Sequence, residues 1–153
     1  SRVSKLILVS AAGIRAAEPV PDMFLLSAAE LAELIHHAPD ARAAAVAEAQ
    51  QRAGDPAAFE RYLRNRAATA HLGWNPYLHD PKLPRRLHRV TAPALIMWGR
   101  QDRLLPASLA RRWSELLPGA RLEIIEEAGH LPLTERAGAA VAAVLAFCQD
   151  GER

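Results

Sequence analysis

The segment Ala94-Leu-Ile-Met-Trp-Gly-Arg-Gln-Asp-Arg-Leu-Leu-Pro106 joins a short apolar run to a turn that carries a carboxylate. The run Ala94–Trp98 contains no polar residue, which is typical of a strand buried on both faces of a parallel sheet. Gly99 ends the run, and Asp102 follows four residues after Trp98. Because ligands of open parallel sheets bind beyond the carboxyl ends of the strands, Asp102 is a candidate functional residue.

A second segment has the same arrangement, with a histidine in place of the acid. Leu122–Ile125 predicts a short strand, and the sequence EEAGH then places His130 five residues after its end. A helix predicted over Pro106–Leu117 separates the two strands, and this order predicts parallel pairing through a right-handed crossover. If the strands are neighbours, Asp102 accepts a hydrogen bond from one imidazole nitrogen of His130 and leaves the other free as a base.

Each residue taken alone also has a purely structural interpretation. An Asp after a Gly is a common turn residue, and a His after a Gly is a common loop residue. The functional interpretation of Asp102 and His130 therefore rests on the pair: both follow strand ends, in the order acid then base, with one helix between them.

The rest of the chain predicts another core strand and a helical insertion. Lys5–Val9 is a continuous apolar run after its lysine, and almost nothing precedes it. A buried parallel strand needs neighbours on both sides, so the sequence predicts that the chain begins in the middle of a fold. Three helices are predicted in the insertion: about Ala28–His37 with Ser27 and Glu30 as a capping box, about Ala41–Ala53 capped by Asp40, and about Ala57–Ala70 opened by Asp55-Pro56.

The last predicted helix covers Thr134–Gln149. Its apolar residues Val141, Val144, Leu145 and Cys148 recur at the spacing of one helical face, which predicts that this face packs in the core.

The two polar strand ends resemble the last two active-site segments of the α/β-hydrolase superfamily. In that family one strand ends in Gly-x-x-Asp and the next ends in Gly-His, as Pro93–Pro106 and Glu127–Pro132 do here. The resemblance implies an α/β protein: a partial α/β-hydrolase fold of about three parallel strands with flanking helices and a helical cap insertion. It divides the chain into a core strand with its exit loop (1–17), a helical cap (18–83) and the C-terminal part of the hydrolase core (84–153).

The same resemblance implies a hydrolase of ester-like small molecules with a nucleophile-His-Asp triad. Asp102 and His130 are its acid and base, and no Gly-x-Ser-x-Gly turn is present to supply the nucleophile. Ser10 ends a predicted strand but lacks the flanking glycines, so the nucleophile is expected upstream of Ser1 and this chain alone is expected to be inactive.

Three other functions remain open from the sequence. An Asp nucleophile would make the enzyme an epoxide- or halide-hydrolysing one, because the same His130 would activate water. A degenerate hydrolase fold would bind a ligand or partner without catalysis. A self-contained three-strand domain that binds a nucleotide is disfavoured, because the chain has no Gly-rich phosphate loop.

Substrate contacts are expected from large apolar residues of the cap and from the residue after the histidine. Members of the superfamily that cut carbon–carbon bonds of ring-cleavage products often carry Trp at that position, and Leu131 occupies it here, which argues against that substrate class. The candidate pocket residues are Met23, Phe24, Trp74, Tyr77 and Leu131, and packing within the cap is their alternative role.

Composition argues against several other classes of function. The net charge is only +2, and the basic stretch Lys82–Arg112 lacks the aromatic interleaving of a nucleic-acid surface. No apolar run approaches the roughly 20 residues that span a membrane, and the single Cys148 requires no oxidising compartment, so a cytoplasmic protein is expected.

The heavy use of Ala, Arg and Pro suggests a bacterial source. No metal or cofactor is expected, and the partners are a small-molecule substrate and the missing half, or a second chain, at the exposed strand edge.

Overall fold

A sheet of three parallel strands forms the centre of the computed structural model, which describes residues 3–150. The strands are β1 (Leu6–Val9), β2 (Ala94–Gly99) and β3 (Arg121–Ile125), in the order β1-β2-β3. Both pairings are parallel, with Leu8 opposite Ile96 and Ile96 opposite Leu122. The predicted α/β class is confirmed, since all three strands lie where the apolar runs predicted them and helices flank them.

The central strand β2 is buried along its whole length because helices cover both of its faces. Ile96 and Trp98 face a core that includes side chains of α4 (Ser108–Leu116). Leu95 and Met97 face a second core with side chains of α6 (Ala137–Gln149). Successive side chains of a strand point to opposite faces, so a strand between two helical layers must be apolar throughout.

Three helices form the insertion between β1 and β2. They are α1 (Ala28–Ile35), α2 (Pro39–Ala53) and α3 (Pro56–Gly73), and a 3-10 helix over Pro84–Arg89, which the sequence did not predict, leads back to the sheet. The capping box is present, because the Ser27 hydroxyl accepts the Glu30 N–H while the Glu30 carboxylate accepts the Ser27 N–H. Asp55 caps α3 as predicted, with its carboxylate accepting the amides of Ala57 and Ala58.

The predicted cap of the second helix was wrong. α2 begins at Pro39, so Ala38 is its N-cap residue and Asp40 lies inside the first turn. Proline suits the first helical position because its ring presets the helical φ and no N–H is needed there. Ala38 has no side chain that can cap the helix, and its own amide donates to the carboxylate of Glu135, which is far away in sequence.

The predicted C-terminal helix is divided at Arg136 into α5 (Pro132–Glu135) and α6. Its predicted core face was also wrong, because Val141 and Leu145 are about half exposed and Cys148 is exposed. The buried residues are Ala140, Ala143 and Phe147. In a helix of mostly alanine and other apolar residues no polar face opposes the apolar one, so periodicity does not select the side that packs.

The outer edge of β1 has no neighbouring strand among the described residues. The amides of Leu6 and Ser10 donate to carbonyls of the β2 side, those of Pro93 and Met97. Because backbone groups alternate along a strand, the amides and carbonyls of Ile7 and Val9 face the other way. Within residues 3–150 no helix combines the length and apolar character of a membrane-crossing segment.

We predict that Leu95→Ala lowers the free energy of unfolding by about 2–5 kcal/mol, because Leu95 is 0 % exposed and its removal leaves a cavity between β2 and α6. The matched control is Leu72→Ala on α3, where the leucine is 93 % exposed and a change within about 0.5 kcal/mol is expected. Urea unfolding of both variants measures the difference. Similar losses for the two would contradict the assigned core.

Candidate active site

Asp102 lies in a tight turn that follows β2. Its side chain is 0 % exposed, and its Oδ1 accepts the amides of Leu104 at 3.0 Å and Leu105 at 2.9 Å. A buried carboxylate is costly unless its oxygens are hydrogen-bonded, and these two amides satisfy one of them. The other oxygen, Oδ2, is therefore directed by the turn itself.

Oδ2 of Asp102 forms a hydrogen bond with the imidazole of His130. The Nδ1 atom of His130 lies 2.8 Å from Oδ2, so the contact expected from the two strand ends is present. An ionised carboxylate only accepts hydrogen bonds, which assigns the proton to Nδ1 and leaves Nε2 as an acceptor. The His130 side chain is 20 % exposed, and within residues 3–150 its Nε2 has no hydrogen-bond partner. The arrangement suits proton transfer at Nε2.

Two glycines, Gly99 at the end of β2 and Gly129 directly before His130, lie where the two loops approach each other. A Cβ on Gly99 would lie 1.9 Å from the carbonyl oxygen of Gly129 and 2.4 Å from that of Ala128. Backbone hydrogen bonds close the same junction, from Arg100 N–H to the Ile125 carbonyl and from Gln101 N–H to the Ala128 carbonyl, each 2.9 Å. Both glycines were recognised from the sequence only as turn residues; the signal for close approach exists only in three dimensions.

The helical insertion also contacts both loops, which the sequence did not predict. The His130 amide donates to the Ile35 carbonyl at 2.7 Å, and the Arg103 amide donates to the Leu34 carbonyl at 3.3 Å. The last carbonyls of a helix have no partner within the helix, so α1 offers acceptors to any amide that reaches its end. Here the amides come from the loops that carry Asp102 and His130.

Four of the five candidate pocket residues lie together. The rings of Phe24 and Trp74 have centroids 5.4 Å apart, and those of Phe24 and Tyr77 are 6.3 Å apart. The Tyr77 hydroxyl donates to the Pro21 carbonyl at 2.8 Å and accepts the Met23 amide at 2.9 Å. Tyr77 thus ties this cluster together. Burial raises the pKa of the Tyr77 hydroxyl, which keeps it protonated as a donor.

The other two residues that the sequence drew attention to are Leu131, next to His130, and Ser10, at the end of β1. Leu131 is 39 % exposed directly after His130. Ser10 ends β1 with a φ of +43°, a conformation uncommon for a residue other than glycine, and its buried hydroxyl has no hydrogen-bond partner among the described residues. Ser10 is therefore not hydrogen-bonded to His130, whose ring contacts Asp102.

Comparison with known proteins identifies the family. A model of the alpha/beta hydrolase family matches residues 2–144. The chain belongs to this family. The hydrogen-bonded Asp102 and His130 lie at the two strand ends where the resemblance expected them.

Individual relatives of this α/β-hydrolase chain match it in part. A 2-hydroxy-6-oxononadienedioate/2-hydroxy-6-oxononatrienedioate hydrolase from Dechloromonas aromatica is 44 % identical over 52 residues, 34 % of this chain and 18 % of the relative. The monoacylglycerol lipase abhd6-A from Xenopus laevis is 35 % identical over 54 residues, 35 % of this chain and 16 % of the relative. The matched segments therefore span less than a fifth of these curated relatives.

A solved structure matches over nearly the whole chain. The 2-hydroxy-6-oxo-6-phenylhexa-2,4-dienoate hydrolase from Rhodococcus sp. strain RHA1 superposes with a TM-score of 0.74 at 21 % identity, over 95 % of this chain. The match covers 55 % of the Rhodococcus chain, so the present chain corresponds to about half of that structure. At this identity the likeness concerns the fold.

We predict that Gly99→Ala lowers the free energy of unfolding by about 1–3 kcal/mol, because the added Cβ meets backbone oxygens that cannot rotate away. The matched control is Gly138→Ala in α6, where a Cβ meets nothing within 4 Å and a gain of up to about 1 kcal/mol is expected from helix propensity. Thermal unfolding compares the two. A Gly99→Ala protein as stable as the control would show that the loops do not approach as closely as described.

Proposed function

We propose that this chain supplies the acid and the base of a hydrolase that acts on ester-like small molecules. The observation that supports the proposal is the 2.8 Å hydrogen bond from Nδ1 of His130 to a fully buried carboxylate, which leaves Nε2 as an acceptor. A base so oriented removes a proton from a nucleophile, and the buried carboxylate stabilises the imidazolium that forms. Asp102 acts through His130 and remains ionised.

The nucleophile is proposed to come from a segment outside this sequence, either earlier in the same protein or on a second chain. The amides and carbonyls of Ile7 and Val9, which no strand within residues 3–150 pairs with, are suited to a further parallel strand. Parallel strands end at the same edge of a sheet, so the turn after such a strand would reach the edge that holds Asp102 and His130. The proposal includes the expectation that this chain alone does not turn over substrate.

The proposed reaction is ester hydrolysis in two steps. In the first, Nε2 of His130 takes the proton of the nucleophile while the nucleophile adds to the carbonyl carbon. The imidazolium then returns the proton to the leaving alcohol, and an acyl intermediate remains. In the second, water gives a proton to Nε2 while its oxygen adds to the acyl carbon. The imidazolium then returns that proton to the nucleophile as its bond to the acyl carbon breaks, which releases the acid and regenerates the nucleophile and the neutral base.

The substrate is proposed to contact the aromatic cluster of Phe24, Trp74 and Tyr77, together with Met23 and Leu131. Trp74 is 55 % exposed and Leu131 is 39 % exposed, so both present apolar surface that a substrate can cover. A second candidate reaction is the hydrolysis of dienoate ring-cleavage products. It is supported by the names of several relatives, which are 2-hydroxy-6-oxononadienedioate/2-hydroxy-6-oxononatrienedioate hydrolases. The same base would serve both substrate classes.

The first test is His130→Ala in the full-length protein. Hydrolysis of short and medium acyl esters, and of dienoate ring-cleavage products as the second substrate class, is expected to fall by at least about 10³-fold in kcat. His88→Ala, which alters an exposed histidine of the 3-10 helix, is the control and is expected to retain activity. Undiminished hydrolysis by His130→Ala would remove the proposed base.

The second test is Asp102→Asn, which keeps the shape of the side chain and removes its charge. Asn can still accept the amides of Leu104 and Leu105 through its oxygen, and its NH₂ group then faces Nδ1 of His130. This arrangement forces the proton onto Nε2, so kcat is expected to fall by a factor on the order of 10⁴ with little change in thermal stability. Wild-type activity in this variant would contradict the proposed role of Asp102.

A further inference from the structure

We propose that Glu135 is a positioning residue that holds the His130 loop and the α1–α2 turn (residues 34–38) together as one unit. Glu135 is the last residue of α5, five residues after His130, and its side chain is 3 % exposed. The role of His130 as a base rests on the proposed function, whereas the mechanical link described below does not.

The Glu135 carboxylate bridges two segments that are distant in sequence. Its Oε1 accepts the Gly129 amide at 3.1 Å, directly before His130. Its Oε2 accepts the His37 amide at 2.7 Å and the Ala38 amide at 3.3 Å. Each oxygen therefore serves a different segment, and the rigid carboxylate fixes their separation.

The charge of Glu135 also lies at the start of α2. The amides that it accepts at this end are those of Ala38, the N-cap residue, and of His37 directly before it. A carboxylate there satisfies free amides and interacts favourably with the helix macrodipole, an effect of about 0.3–1 kcal/mol that grows on burial. Three amide donors therefore stabilise the buried carboxylate, and within residues 3–150 the one basic side chain that reaches it is His36, with Nδ1 4.0 Å from Oε1.

A second layer of hydrogen bonds runs through the same junction. The carbonyl of Ile35 accepts the His130 amide, and the carbonyl of Leu34 accepts the Arg103 amide beside Asp102. The end of α1 therefore contacts both the loop that carries His130 and the loop that carries Asp102. Glu135 lies on the other side of Gly129 and closes the bridge from the His130 loop to α2.

The surroundings of Gly129 show how tightly the His130 loop is packed between α1 and Glu135. A Cβ at this position would lie 2.2 Å from the Ile35 carbonyl oxygen, and 3.0 Å from both Oε1 of Glu135 and the His37 amide nitrogen. The backbone of the His130 loop thus passes between α1 and the Glu135 carboxylate without room for a side chain. A displacement of the carboxylate must be followed by the loop, and with it by the imidazole.

Glu135→Gln tests whether the hydrogen bonds of the Glu135 carboxylate, and not only the volume of its side chain, position the loop. Gln has nearly the same volume, but it offers one acceptor oxygen and turns an NH₂ group toward the remaining donors. Either the Gly129 amide or the His37 and Ala38 amides then face a donor. The matched control is Glu126→Gln, which alters an exposed carboxylate on the same loop that pairs with Arg100.

In the full-length protein we expect Glu135→Gln to lower kcat by about 10- to 100-fold, as a displacement of about 1 Å at a base does, with KM changed by less than about threefold. Amide hydrogen exchange is expected to accelerate at Gly129 and His130, with the rest of β3 unchanged. The Glu126→Gln control is expected to match the wild type in both measurements.

The outcomes separate this proposal from the proposed function. A variant that loses thermal stability yet retains the wild-type kcat and exchange at His130 would overturn it. If the wild type hydrolyses none of the substrates, the exchange measurement still decides, since it needs no activity. If Glu135→Gln does not fold, amide hydrogen exchange of the wild type tests the proposal instead. Protection factors of His37, Ala38 and Gly129 that agree within about threefold indicate that the two segments open as one unit. Protection factors that differ by more than this contradict the proposal.

Discussion

The hydrogen bond between Nδ1 of His130 and Oδ2 of Asp102 is the contact on which the candidate site depends. It joins two loops that follow adjacent parallel strands, and the roles proposed for Asp102 and His130 both require it. The bond fixes the tautomer of the imidazole because a carboxylate can only accept. Everything that positions the loops therefore also determines which imidazole nitrogen is available for chemistry.

Three features of the fold hold that contact in place. The Asx-type turn at Asp102 directs Oδ2 toward β3, since Oδ1 is occupied by the amides of Leu104 and Leu105. Gly99 permits the carbonyls of the His130 loop to lie against the end of β2. The C-terminus of α1 accepts an amide from each loop. The helical insertion is thereby part of the support of the site, in addition to the proposed substrate contacts.

The strands and the acid–base pair could be predicted from the sequence because each depends on local patterns. A run such as Ala94–Trp98, apolar on both faces and ended by glycine, has few structural alternatives. Parallel pairing then brings the two strand ends together by geometry alone. The family resemblance of the two segments agrees with the family model that matches residues 2–144.

The parts that could not be predicted depend on contacts between distant residues. Asp40 carries a good capping side chain, yet α2 begins two residues earlier than predicted, and the amide of its N-cap residue Ala38 donates to Glu135 from the other end of the chain. The face of α6 that packs is the one with Ala140, Ala143 and Phe147, and no polar residue in Val141–Cys148 marks the opposite face. Sequence spacing does not contain this information.

The tautomer of His130 provides the most direct measurement of the central claim. Nitrogen-15 NMR of the full-length protein, labelled in histidine, distinguishes a protonated Nδ1 from a protonated Nε2. The account predicts that neutral His130 carries its proton on Nδ1 and that Asp102→Ala abolishes this preference. A neutral His130 protonated on Nε2 in the wild type would contradict the account, because Asp102 would then not be its hydrogen-bond acceptor.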